Sequence, residues 1–251
     1  MAAGEVATRI TLKHVSALSE FREAVALQQE IWGFSDIELL PLRLFVVAHK
    51  VGGQVIGAFD GATMIGFLLS IPGLRQGETY LHSHMMGVQE PYRNLGVGRM
   101  LKLAQREEAL ARKILLIEWT FDPLEIKNAY FNIERLGAVV RRYVPNQYGT
   151  TTSHLHGGLP TDRCVAEWDL NSARVRAVLA GPPILHEEVI ERVAVPNDIA
   201  ELRQHHPKRA REIQLALSGA FLAHFQQELA VTGFERTPES GVYLFSQWPS
   251  K

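Results

Sequence analysis

Gly87-Val88-Gln89-Glu90-Pro91-Tyr92-Arg93-Asn94-Leu95-Gly96-Val97-Gly98-Arg99 joins the end of one apolar run to the start of an amphipathic one. A strand ends, the chain turns, and a helix opens with two glycines in its first turn. The first amides of a helix have no intrahelical acceptor, and they gather the positive end of the helix dipole, which suits a pyrophosphate. Glycine at 96 and 98 lets phosphate oxygens reach those amides without meeting a Cβ, and Arg93 is placed to add a charge-assisted hydrogen bond. The expected donors are the amides of Asn94, Leu95, Gly96, Val97, Gly98 and Arg99. A plainer reading of the same turn is that its glycines only relieve crowding. An ordinary nucleotide-phosphate loop fits less well, since the chain has neither Gly-x-x-x-x-Gly-Lys-Ser/Thr nor Gly-x-Gly-x-x-Gly.

Working outward from the turn, Thr79 to Val88 reads as a strand. The helix after it carries Val97, Leu101, Ala104 and Ala111 on one side and Lys102, Arg106 and Lys113 on the other. Upstream, residues 16 to 31 have helical spacing with Ser19 as a cap, and Pro41 to Lys50 opens on proline as a second helix. Gln54 to Phe59 and Thr63 to Ile71 flank Asp60-Gly61-Ala62 as a hairpin. Downstream, Ile114 to Phe121 is a buried strand, followed by a short helix from Ile126 to Leu136 that Gly137 closes. Strands at Ala138 to Val144 and Cys164 to Leu170 follow, joined by a long polar loop, Pro145 to Thr161, that is expected near an acceptor. Beyond Asn171 come a strand at Val189 to Val195, a short helix, a longer helix opening at Pro207, and a strand at Val242 to Ser246. Residues 1–170 therefore read as one domain, and 171–251 as a C-terminal α/β extension packed on it.

Composition narrows the partners. The 251 residues are 46% hydrophobic, enough for a real core, and 26 basic against 27 acidic residues leave a net charge of -1. No basic stripe suits nucleic acid or a membrane surface. One cysteine, Cys164, forms no intramolecular disulfide, and no apolar stretch reaches the roughly 18 residues that span a bilayer. A cytoplasmic protein with a small-molecule partner is expected, with the Phe221 and Phe225 stripe docking its helix on the sheet or on a second copy in a homodimer.

Arg-x-x-Gly-x-Gly after a strand ending in Val88, together with the order of elements from Leu18 to Leu170, resembles the coenzyme A motif and fold of the GNAT superfamily of N-acetyltransferases. A narrower likeness, to a branch of predicted acetyltransferases, is carried by Thr120-Phe121-Asp122-Pro123-Leu124 and Leu159-Pro160-Thr161-Asp162-Arg163; the last third of the chain matches more weakly. The resemblance implies an α/β (α+β) fold with a mixed, splayed central sheet flanked by helices. It also implies acetyl-CoA or another short acyl-CoA as co-substrate, with no metal. Direct attack by a small-molecule amine on the thioester is the implied chemistry. Met86 and Val88 would hold the pantetheine and polarise the carbonyl, Arg93 to Arg99 would bind the pyrophosphate, and Asn128 would touch the pantetheine arm. The alternative is a noncatalytic acyl-CoA-binding or sensing protein. It is motivated by Ile133, which stands four residues before Gly137, where many members have the tyrosine that protonates the thiolate.

Three residues are candidates for proton transfer. His84 shares a strand with His82, and simple alternation puts both on the face of Met86 and Val88. Asp122 follows the end of a buried strand, where acceptors gather, unless it merely holds an Asp-Pro turn. Tyr130 lies three residues before Ile133. Glu118 inside an apolar run must be paired or face a cleft. Arg163 and Glu167 are expected to form a salt bridge or to bind an acceptor carboxylate. His154 and His156 lack further ligands for a metal, and Cys164 reads as an inert buried thiol.

Overall fold

Asp60, Gly61 and Ala62 do close a hairpin. In the computed structural model strands β2 (Gln54–Asp60) and β3 (Thr63–Arg75) pair antiparallel around them. The structure describes residues 9–34, 38–149, 158–181 and 187–248. They form a mixed α/β fold and group into two compact units, residues 9–117 and residues 118–248.

The first unit is a four-stranded antiparallel sheet in the order β1-β2-β3-β4, with β1 spanning Ile10–His14 and β4 Glu78–Val88. Helices α1 (Leu18–Trp32) and α2 (Leu42–Lys50) cover one face and α3 (Val97–Ala111) the other. Under α1 and α2, Phe21, Phe45 and Phe67 are at most 2% exposed, and each such ring contributes roughly 1.5–3 kcal/mol by its burial. Strand β1 carries too few apolar residues to announce itself in the sequence. Ser19 does not cap α1: the carboxylate of Glu20 accepts the amides of Ser16 and Ala17 instead.

Lys102 corrects the expected polar face of α3. It is 2% exposed and donates to Ser83 Oγ at 3.2 Å and to Gln105 Oε1 at 2.8 Å, in a buried polar network that continues through Gln54 and Ser70. Burial pushes its ammonium well below the ordinary lysine range.

In the second unit the strand order is β5-β7-β6-β9-β10-β8. Strands β5 (Leu116–Phe121), β6 (Val139–Val144) and β7 (Arg163–Asp169) fall where the sequence placed them. Strands β8 (Glu191–Pro196), β9 (Leu229–Arg236) and β10 (Ser240–Gln247) extend the same sheet, through Val140 of β6 opposite Val231 of β9. Helix α4 starts at Ile126 as an α-helix and passes at Phe131 into a π-turn that ends at Arg135, closed by Gly137 at φ 79°. Three more helices follow, α5 (Ala173–Ala180), α6 (Ile199–His205) and α7 (Pro207–Gln226). Phe221 of α7 packs 5.4 Å from Tyr143, 5.0 Å from Tyr243 and 5.1 Å from Phe245, a core role and not a ligand box.

Candidate functional site

The turn after β4 is built from successive backbone captures. Gln89 N donates to Ile65 O at 2.9 Å, Tyr92 N to Gln89 O, and Arg93 N to Glu90 O, closing a short 3-10 turn over Glu90–Tyr92. Tyr92 OH then donates to Asp60 at 2.8 Å, pinning the turn to the hairpin. Asn94 at φ 63° and Gly96 at φ 86° swing the backbone round into α3. Met100 N is the amide that bonds Gly96 O. The amides of Val97, Gly98 and Arg99 therefore form the open first turn, as the helix geometry requires.

The two glycines have different reasons. Gly96 is set by its left-handed φ, which costs a residue with a Cβ roughly 1–2 kcal/mol. Gly98 has no such φ, and a Cβ there would meet only Met86 Cε, at 3.6 Å, an ordinary contact. Crowding within the chain therefore does not require glycine at 98. What the missing Cβ leaves is clear access to the helix-start amides. Arg99 Nε is buried without a hydrogen-bond partner, while Arg93 Nε is taken up by Val88 O at 3.2 Å.

On β4 the expected alternation breaks. Leu69 faces Met85 and Ser70 faces Ser83, so His84 is an extra residue with no partner on β3. Such a bulge shifts every later side chain to the opposite face. Ser83 contacts α3 through Gln105 and Lys102, and Met86 packs against α3 too, whereas Met85 packs with α1 and α2. His82 lies opposite Ile71, whose neighbours are on the α1 and α2 side, so it does not share the face of Met86 and Val88. The His82 and His84 rings are 5.9 Å apart. Burial lowers the His84 pKa below its ordinary 6.5, which favours the neutral, proton-accepting imidazole near pH 7.

In the second unit, Asp122 is held on every side. Its Oδ1 accepts Leu124 N at 2.8 Å, the Asp-Pro turn weighed from the sequence. Its Oδ2 accepts Arg203 Nη2 at 2.6 Å, and Arg163 Nη1 is 4.0 Å away. Arg203 also bonds Glu125, at 2.8 Å. Burial, then the Asp122 charge, raise the Glu125 pKa, against the lowering pull of Arg203. Arg203 had no signal in the sequence, because one arginine in a short helix reads as a solvated residue.

Glu118 is buried and paired with Arg142 at 2.7 Å, and Arg142 also reaches Glu167. Glu167 pairs with Arg141 as well and is not the partner of Arg163. Arg163 lies over the ring of Tyr148, 5.4 Å from its centroid, and the Tyr148 hydroxyl is 3.2 Å from Thr120 Oγ1. Asn128 is exposed on α4, Tyr130 packs its ring against the Arg236 guanidinium, and Ile133 is fully buried. Cys164 is buried, and burial pushes its thiol well above the ordinary range, the inert state expected. His154 and His156 lie outside the described residues. Among the described residues no group of three His, Cys, Asp or Glu side chains is placed to hold a metal, and no helix is long and apolar enough to cross a membrane.

No family profile matches the chain, and no curated protein matches its sequence. Solved structures do match. The ribosomal-protein-S18-alanine N-acetyltransferase of Escherichia coli aligns at 16% identity and a TM-score of 0.51, over 65% of this chain and 96% of its own. An acetyltransferase of the GNAT family from Streptococcus pneumoniae gives 14%, a TM-score of 0.50, and 63% and 98%. NAA60 of Arabidopsis thaliana, solved with a bisubstrate analogue, gives 13%, a TM-score of 0.51, and 63% and 97%. At these identities the likeness establishes the fold: about two thirds of the chain has the fold of GNAT acetyltransferases.

Proposed function

We propose that the protein binds acetyl-CoA or another short acyl-CoA and transfers its acyl group to the amine of a small molecule by direct attack on the thioester. The observation that carries this reading is the turn from Arg93 to Arg99, where open amides at the start of α3 stand beside a glycine that the chain's own packing does not require. A pyrophosphate supplies the acceptors those amides lack. The GNAT fold supports the reading, and so does a bulged β4 just ahead of the turn. Met86 and Val88 are the residues proposed to hold the pantetheine, with the open amides of Val97, Gly98 and Arg99 on the pyrophosphate and Arg99 Nε as a further donor. Asn94, Leu95, Gly96 and Arg93 shape that loop.

His84 is the proposed general base. An amine must lose a proton as it attacks, and a half-buried neutral imidazole accepts one at neutral pH. The acyl–sulfur bond breaks as the nitrogen–acyl bond forms, and the thiolate leaves with a proton. Water is the proposed source of that proton, since Ile133 has none to give. With the His84 pKa lowered, the acid limb of the rate profile is expected below pH 6.5, with a plateau above it. Rates measured against pH check this: His84→Asn should lower the plateau and remove the limb, whereas an unchanged profile would hand proton removal to water.

A screen of small amines for acceptor-dependent release of free thiol from acetyl-CoA tests the activity itself. Release with at least one amine is expected. Tight coenzyme A binding without any release would favour the sensing reading, which the buried Ile133 supports.

A further inference from the structure

Three cross-strand neighbours form a polar row beneath α3. Gln54 of β2 lies opposite Ser70 of β3, and Ser70 lies opposite Ser83 of β4, so the three share one face of the sheet. Lys102 and Gln105, three residues apart on α3, close the row from above. None of the five is more than 6% exposed. Ser70 Oγ donates to Gln54 Oε1 at 3.0 Å, and Gln54 Nε2 donates to the Gln105 carbonyl at 3.1 Å. Ser83 Oγ accepts from Lys102 Nζ at 3.2 Å and donates to Gln105 Oε1 at 3.3 Å.

The row ends at the bulge. Ile71 is paired with His82 and Leu69 with Met85, which leaves Ser83 and His84 of β4 opposite the single residue Ser70. Two placements satisfy those flanking pairs: one of the two residues faces α3, and the other is extra. Ser83 is the one that faces α3. An imidazole in its place would be sealed under the helix, whereas His84 is half-buried with its ring 5.9 Å from that of His82. The choice turns on what Lys102 and Gln105 receive. Lys102 Nζ and Gln105 Oε1 are 2.8 Å apart, and one hydroxyl oxygen serves both. The two nitrogens of an imidazole point apart and serve such close partners poorly. A buried polar contact that only one register satisfies is an attested way to fix a register.

We infer that the contact of Ser83 with Lys102 and Gln105 positions the base: holding Ser83 beneath α3 makes His84 the extra residue of the bulge and keeps its imidazole out of the core. The inference rests on the role proposed for His84 in acyl transfer. Lys102 and Ser83 act through His84 and are positioning residues.

Ser83→Ala removes one acceptor of Lys102, which His84 can replace by slipping one place. Contacts of the His84 ring protons, read by NMR on the full chain, report the register. In the wild type they run to His82, and in Ser83→Ala they are expected to run to Gln105. The acid limb of the rate profile should disappear and kcat fall about 100-fold, the scale of loss from a displaced catalytic group. KM for acetyl-CoA should stay within about twofold, since the coenzyme loop is untouched. Ser83→Thr keeps the hydroxyl and should keep both the contacts and the rate. Lys102→Met fills the same space with an apolar chain of like length, should fold, and is expected to move the contacts the same way. The inference is overturned if the His84 contacts stay with His82 in both Ser83→Ala and Lys102→Met, or if they move and kcat is unchanged. A wild type without acyl transfer would instead defeat the proposed activity, and the ring contacts would still decide whether this clamp sets the register.

Discussion

Asp122→Ala is expected to destabilise the protein by about 3–5 kcal/mol, because it leaves the Arg203 guanidinium buried without its closest carboxylate. The Arg203 side chain is only 4% exposed, and its Nη2 sits 2.6 Å from Asp122 Oδ2. The same substitution removes the acceptor for Leu124 N, which opens the turn between β5 and α4. A domain whose whole stability is of order 5–15 kcal/mol would show such a loss as a large drop in the urea midpoint. Asp122→Asn should lose less, since an amide oxygen still accepts from Leu124 N. An unchanged midpoint in Asp122→Ala together with lost acyl transfer would reverse the assignment and make Asp122 the base.

Gly98→Val is expected to have the opposite signature, a binding defect without a folding defect. The only atom near its Cβ is Met86 Cε at 3.6 Å, and valine is a better helix former than glycine. Thermal unfolding should therefore be unchanged or slightly improved. Affinity for coenzyme A should fall by about 100-fold or more, equivalent to about 2.7 kcal/mol, because a branched side chain would stand over the amides that receive the phosphates. Gly96→Val is a poorer probe, since its φ of 86° would strain any branched residue and lower stability for reasons unrelated to ligand. Loss of folding in Gly98→Val would instead mean that position 98 is packed by the chain.

Much of this was legible in the sequence where the signal is local. The strand-turn-helix order around Arg93 to Gly98, the Asp-Gly hairpin, the proline start of α7 and the Gly137 cap are each fixed by neighbouring residues and each is present, although the helix after the turn starts at Val97 and not near Leu95. Strand β9 was missed because its buried run, Leu229 to Phe234, has no alternation and follows α7 after two residues. The bulge at His84 was missed for a deeper reason. Nothing in Leu81 to Val88 shows that one residue is extra, since the count is made only against β3. Counting in twos then put His82 on the wrong face. Lys102 shows the same limit: a lysine next to Leu101 reads as exposed, and the acceptors that make its burial tolerable include Ser83, 19 positions away on β4. The Arg203 clamp joins residues 81 positions apart, and no spacing rule reaches that far.

Calorimetric titration of the wild-type chain with coenzyme A, set against pantetheine, tests the central claim most directly. Pantetheine shares the thiol arm and lacks the pyrophosphate. If the turn from Arg93 to Arg99 is a pyrophosphate site, coenzyme A will bind and pantetheine will bind at least about 100-fold more weakly. Failure of coenzyme A to bind, or equal binding of the two, would contradict the account.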